Sequence, residues 1–217
     1  MGYDRAATMF APDGHILQAE YAEKTTRLGS SSVAIACKDG VIIVSDRRQT
    51  DKLIVEESAN KINEIDDHII AVSAGISSDA RVLIDKARVL AQQHKVTYDS
   101  PVEPESIVRD ISDIKQQFTQ YGGARPFGVS MMFAGFTSEP SLYVTDVTGN
   151  YLKYKAAAIG ENDEKIKKYL REEYKQTLTL SEAEKIIMNI FKKIQDEDFD
   201  EKRFDVCILT KDKIEKK

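Results

Sequence analysis

Tryptophan is absent from this chain of 217 residues, and cysteine, histidine and proline are scarce, at two, three and five copies. Each shortage removes a class of explanation. Cys37 and Cys207 sit in apolar, β-rich runs without metal-ligand spacing, so buried, reduced thiols are expected, which suits the cytoplasm. His15, His68 and His94 are scattered, and His94 falls on the apolar stripe of a helix, where a packing histidine is expected rather than a ligand. Nothing calls for a cofactor or a metal. No apolar run is long enough to span a bilayer, and no charged-then-apolar leader precedes the first motif, so no membrane role is expected. A net charge of −5 with no basic face argues against nucleic acid as a partner. The remainder, 41% hydrophobic and 31% charged, is an ordinary globular composition, long enough for one large core.

The N-terminal stretch is the most distinctive. Residues 3–10 hold neither a helical nor an alternating period and read as an extended arm. Pro12-Asp13-Gly14 is a turn, because proline presets φ and glycine accepts a positive φ. Residues 17–28 then run without a breaker to Gly29 and are predicted to be a short helix. Beyond it, Ser31–Cys37 and Gly40–Asp46 flank a Lys38-Asp39-Gly40 hairpin and are apolar on both faces, as strands of a covered sheet are. Residues 47–60 read as an exposed connection, and Lys61–Ile65 with His68–Ala74 as a second strand pair.

Two helices follow. One carries Ala80, Leu83, Ile84, Ala87, Leu90, Ala91 and His94 on one stripe, with Ser77 or Ser78 as its N-cap and Asp79 in its first turn. The other carries Ile107, Ile111, Ile114 and Phe118 and stops at Gly122-Gly123. Val129–Phe136, Ser141–Asp146 and Tyr151–Ala158 read as three strands, residues 163–174 and 181–195 as two more helices, and Phe204–Thr210 as a last strand. Asp196–Lys202 is expected to be a charged loop and residues 211–217 a frayed tail. Strands, two helices, strands, two helices, strand is an α+β order that places helices on the outer faces of mostly antiparallel sheets. Residues 1–217 are expected to form a single domain, with an arm and turn over 1–14, a helix over 17–28 and a layered body over 29–210.

Tyr3-Asp4-Arg5-Ala6, Phe10 to Gly14 and Gln18 to Ala22, in this order, resemble the N-terminal signature of 20S proteasome α-type subunits, most closely the archaeal type. The resemblance continues through Gly29 to Ile35, Ser45-Asp46-Arg47-Arg48, Lys61-Ile62, Asp79-Ala80-Arg81, Tyr121-Gly122-Gly123 and Arg125 to Ser130, and so covers nearly the whole chain. It implies a four-layer αββα sandwich, the N-terminal nucleophile hydrolase-like fold, with an extra N-terminal helix. It also implies a non-catalytic subunit of a seven-membered outer ring of the core particle. Such a ring stacks on the β-subunits, which carry the threonine-type endopeptidase activity. It gates entry of unfolded protein substrates and receives the C-terminal tails of an AAA+ proteasome-activating ATPase.

The site residues follow from the resemblance. Tyr3, Asp4, Arg5, Pro12 and Tyr21 would form the gate; Lys61, Gly75 and Ile76 the pocket for the ATPase tail; Tyr121, Gly122 and Gly123 the pore constriction. Only two residues precede Tyr3, which implies a short gate arm. Taken without the family, Lys61 is a solvated surface lysine and Gly122-Gly123 a helix stop. Arg125 to Gly128 reads as a turn feeding a strand, with no chemistry, and Asp46 as a strand-end carboxylate holding a turn or pairing with Arg47 or Arg48 of a neighbour.

One rival is an enzyme. Ser30, Asp46 and Lys61 fall where the β-subunits carry nucleophile, carboxylate and lysine, so a serine N-terminal nucleophile hydrolase with residues 1–29 as propeptide is the alternative. Against it, cleavage after Gly29 would discard the most specific motif, and without cleavage Ser30 has no free α-amine to act as base.

Overall fold

The computed structural model describes residues 8–48 and 53–217. Helix α1 (Leu17–Leu28) leads into strands β1 (Ser32–Cys37) and β2 (Gly40–Asp46), then β3 (Ile62–Asp66) and β4 (Ile69–Gly75). Helices α2 (Ser77–Tyr98) and α3 (Pro104–Gln120) come next, before β5 (Val129–Phe136), β6 (Pro140–Thr145), β7 (Tyr151–Lys153) and β8 (Ala156–Ile159). Helices α4 (Asp163–Glu173) and α5 (Leu180–Gln195) and strands β9 (Phe204–Thr210) and β10 (Ile214–Lys216) close the chain.

The strands form two five-stranded sheets, ordered β10-β9-β2-β1-β8 and β3-β4-β5-β6-β7. Every pairing is antiparallel. Side chains alternate across a strand, so a strand apolar on both faces serves two cores. In β1 and β2, Val33, Ile35, Ile42 and Val44 face α4 and α5, where Ile166, Leu170, Ile187 and Phe191 meet them. Their neighbours Ala34, Val41 and Ile43 face the other sheet and meet Ile70, Val72, Met132 and Ala134. The far sides of β4 and β5 carry Ile69, Ala71, Met131 and Phe133 onto the stripe of α2 and α3. Helices, sheet, sheet and helices thus make four layers, with α1 lying against β4 and β5.

Four local expectations are corrected. Residues 151–158 are not one strand: β7 stays in the second sheet, ending with Tyr154 N–H donating to Leu142 O at 2.8 Å. One residue later Lys155 O accepts from Ala36 N–H at 2.8 Å, and β8 joins the first sheet beside β1. The tail is not frayed, because β10 pairs with β9 and Lys217 N–H donates to Val206 O at 2.9 Å. Neither Ser77 nor Ser78 caps α2, which starts after Ile76 with no side-chain cap. The charged segment after α5 is not a plain loop but winds into two short 3₁₀ turns, Asp196–Asp198 and Glu201–Arg203. Both cysteines are buried and unpaired, and burial pushes each thiol up to about 11, so neither is a nucleophile at neutral pH.

Candidate functional site

A cavity of about 480 Å³ opens where the end of α1, the start of β3, the end of β4 and the first turns of α2 converge. Gly29, Ser30, Lys61, Gly75, Ser77 and Arg81 are on its wall. Backbones approach so closely here that side chains are excluded. A Cβ on Gly29 would lie 2.5 Å from Gly75 N, and one on Gly75, itself at φ +124°, would lie 2.1 Å from Gly128 O. Lys61 stands just before β3 and is half-buried. Its Nζ lies 2.8 Å from Ser30 O, 2.8 Å from Ser30 Oγ and 3.4 Å from Ser32 Oγ. Burial lowers its pKa to about 8, against the upward pull of Asp46 and Asp205 and with Arg48 adding to the fall. The lysine is therefore a cation at neutral pH, but a readily discharged one.

Lys61 and Gly75 line this cavity together, whereas Ile76 does not. The Ile76 side chain turns toward Gly128, where its Cδ1 would sit 2.7 Å from a Cβ. Ser30 and Lys61 are also in contact, as the hydrolase reading requires, but its carboxylate is engaged elsewhere. Asp46 is buried and holds Arg203 Nη2 at 2.7 Å, Gln195 Nε2 at 2.8 Å and Arg48 N–H at 2.9 Å. Asp46 thus holds the turn through the Arg48 backbone N–H, and within the chain its cationic partner is Arg203. With α1 attached, the Ser30 nitrogen is a peptide amide and offers no free α-amine to activate the hydroxyl.

Arg125 to Gly128, assigned no chemistry from sequence, forms the joint beside this cavity. Asp79 in the first turn of α2 receives Arg125 through both oxygens, at 2.6 and 2.8 Å, and Gly128 N–H at 2.9 Å. Those contacts hold its carboxyl below the usual carboxylate range. Gly128 O accepts Ile76 N–H at 2.9 Å and lies 3.0 Å from Thr25 Oγ1 on α1. One glycine therefore ties α1, the start of α2 and the entry to β5 together. Residues 79 and 125 are too far apart in sequence for any local motif to reveal the pair.

Of the gate residues, Tyr3, Asp4 and Arg5 lie outside the described residues. Pro12 is exposed in a turn closed by Gly14 N–H donating to Ala11 O at 2.8 Å, with Gly14 at φ +86°. His15 and Glu20 pair across the start of α1, and that carboxylate raises the imidazole pKa. Tyr21 is exposed on α1, with Lys24 Nζ 5.3 Å from its ring centroid. Tyr121, Gly122 and Gly123 form an exposed loop after α3, on no wall of the cavity.

Two antiparallel sheets face to face between paired helices, with a further N-terminal helix against one of them, define an N-terminal nucleophile hydrolase-like sandwich. Comparison with known proteins narrows this. The proteasome subunit family matches residues 26–209, and the N-terminal signature of A-type proteasome subunits matches residues 3–24. The proteasome alpha subunit of Archaeoglobus fulgidus is 46% identical over 183 residues, 84% of this chain and 74% of its own length. That of Methanocaldococcus jannaschii is 44% identical over 209 residues, covering 96% and 80%, and that of Pyrococcus abyssi 43% over 213 residues, covering 98% and 82%. The chain belongs to the proteasome subunit family, as a non-catalytic α-type subunit that assembles with other subunits of the complex. No helix among the described residues is long and apolar enough to cross a membrane.

Proposed function

We propose that this chain builds the seven-membered outer ring of a cytoplasmic 20S core particle, gates the entry of unfolded proteins, and receives the C-terminal tails of an AAA+ ATPase during ATP-dependent degradation. The observation that carries this reading is the cavity at Lys61. An ammonium held on a wall beside the uncapped first turn of α2 is suited to a terminal carboxylate, because both the point charge and the free N–H groups favour an anion. Gly29 and Gly75 line the same cavity, and Gly128 joins Gly75's neighbour Ile76 to α1. A tail docked at Lys61 would therefore press on the backbone from which α1 and the Pro12 turn extend. Tyr3, Asp4, Arg5, Pro12 and Tyr21 would take the open arrangement on docking, a bias between two states rather than new chemistry. Tyr121, Gly122 and Gly123 would line the constriction below.

The test is peptide hydrolysis by a reconstituted core particle, with and without a peptide copying the ATPase C-terminus. Removing the ammonium from a docked carboxylate costs about 2–5 kcal/mol, roughly thirtyfold or more in affinity. Lys61→Ala is expected to abolish stimulation while ring assembly persists. Equal stimulation of the wild type and the variant would exclude this pocket.

A further inference from the structure

We propose that Lys61 is a site of acylation by small acyl phosphates, and that the modification closes the tail pocket; the second clause rests on the docking reading above. Two of the three partners of Nζ are the hydroxyls of Ser30 and Ser32, which donate as well as accept. The shell therefore accommodates an amine as well as an ammonium: Ser30 O takes one N–H, one hydroxyl takes another, and the second hydroxyl turns its proton to the lone pair. The arrangement stands at the wall of a cavity of about 480 Å³, roomy enough for a small donor. Burial favours the amine, and the charges facing Nζ from β2 and β9, Asp46 and Asp205, are offset in part by Arg48.

The cavity also selects the leaving group. Arg47, Lys61, Arg81 and Arg88 are cationic among its lining residues, and Asp85 is the carboxylate. Arg88 is engaged by Glu64 O and Asp85, and Arg47 by Asp205, while Arg81 is exposed on the wall one turn into α2. A phosphoryl group is the anion such a wall takes. In the step, the Nζ lone pair attacks the acyl carbon. A C–N bond forms, the C–O bond to phosphate breaks, and inorganic phosphate leaves with the electron pair. The Nζ proton passes through the Ser30 hydroxyl to water. The product is a neutral amide, and a tail carboxylate loses its cation.

The experiment incubates the assembled core particle with acetyl phosphate, from about pH 7 to pH 9 across the lysine's value of about 8, and reads acetylation at each lysine by peptide mass spectrometry. Lys61 is expected to react about tenfold faster than exposed Lys38 and Lys86, with a rate that levels above about pH 8. Arg81→Gln should slow the reaction with acetyl phosphate but not with the neutral donor p-nitrophenyl acetate. Acetylation of Lys61 no faster than that of Lys38 overturns the proposal. The acylation readout does not use activity. An unreactive Lys61 in a particle that answers the tail peptide defeats acylation and leaves docking standing. A reactive Lys61 in a particle that ignores the peptide supports acylation and defeats docking.

Discussion

Among the described residues, burial lowers the pKa of two lysines, and their surroundings differ. Lys61 stands at a cavity wall with three oxygen partners within reach and two carboxylates facing it. Lys115 lies on α3 with no exposure at all, and its one hydrogen bond among the described residues is to Thr145 O at 3.3 Å. Asp146 favours its charge, yet burial pulls its pKa down to about 7, lower than that of Lys61. Thr145 and the turn that follows it pack tightly here: Ser112 Oγ donates to Thr145 Oγ1 at 2.9 Å, and a Cβ on Gly149 would lie 2.3 Å from Ser112 O. Nothing in the structure explains a lysine at this place. The contrast separates a desolvated charge at the wall of a cavity from one that merely costs stability.

The largest effect is expected from Lys115→Met. An apolar chain of similar length removes a poorly paired buried charge and should stabilise by about 2–4 kcal/mol at neutral pH, read by denaturant unfolding. The pH dependence has a definite sign. Below about pH 7 the lysine is protonated in folded and unfolded states alike, and the full penalty is present. As pH rises from about 7 toward the ordinary 10.5, the folded state sheds its proton first, so the wild type gains stability and the advantage of the variant shrinks. A pH-independent difference, or none, would mean that the ammonium finds water.

A buried charge with good partners should behave in the opposite way. Asp79→Asn is expected to destabilise by about 1–2 kcal/mol, a modest figure because Arg125 is largely solvated and screened. Since the folded pKa of Asp79 lies below its ordinary 3.8, its contribution is present above that value and fades as the pH falls through the lower folded one. The variant should therefore match the wild type most closely in strong acid; a gap that widens there would refute the pairing argument.

The smallest change in stability is expected from Lys61→Met, within about 1 kcal/mol, because relief from desolvation is offset by the loss of its hydrogen bonds and of a counter-charge to Asp46 and Asp205. A gain as large as that of Lys115→Met would erase the distinction between the two sites.

How much of this is legible in the sequence depends on the range of the interaction. The helix stripes, the doubly apolar strands and the Pro12-Asp13-Gly14 turn are set by residues within a few positions of one another, and the structure repeats them with boundaries moved by a residue or so. The N-terminal motif is equally local, and it points to an α-type subunit before any contact is known. Lys61 is legible as a residue of interest, and as a partner of Ser30 only through the resemblance to the β-subunits. Lys115 gives no local sign of its burial beyond its place four residues after Ile111, on the buried stripe of α3.

The amino-acid order by itself determined the elements, their apolar faces and the layered α+β arrangement, because backbone propensity and side-chain periodicity act between near neighbours. Tertiary structure alone decided that Asp46 meets Arg203, that Asp79 holds Arg125 and Gly128, and that residues 151–159 divide between two sheets. It also decided that Lys61 and Lys115 lose their water. These outcomes turn on register and on packing between elements distant in sequence, where each partner's desolvation and geometry are settled only when the layers close.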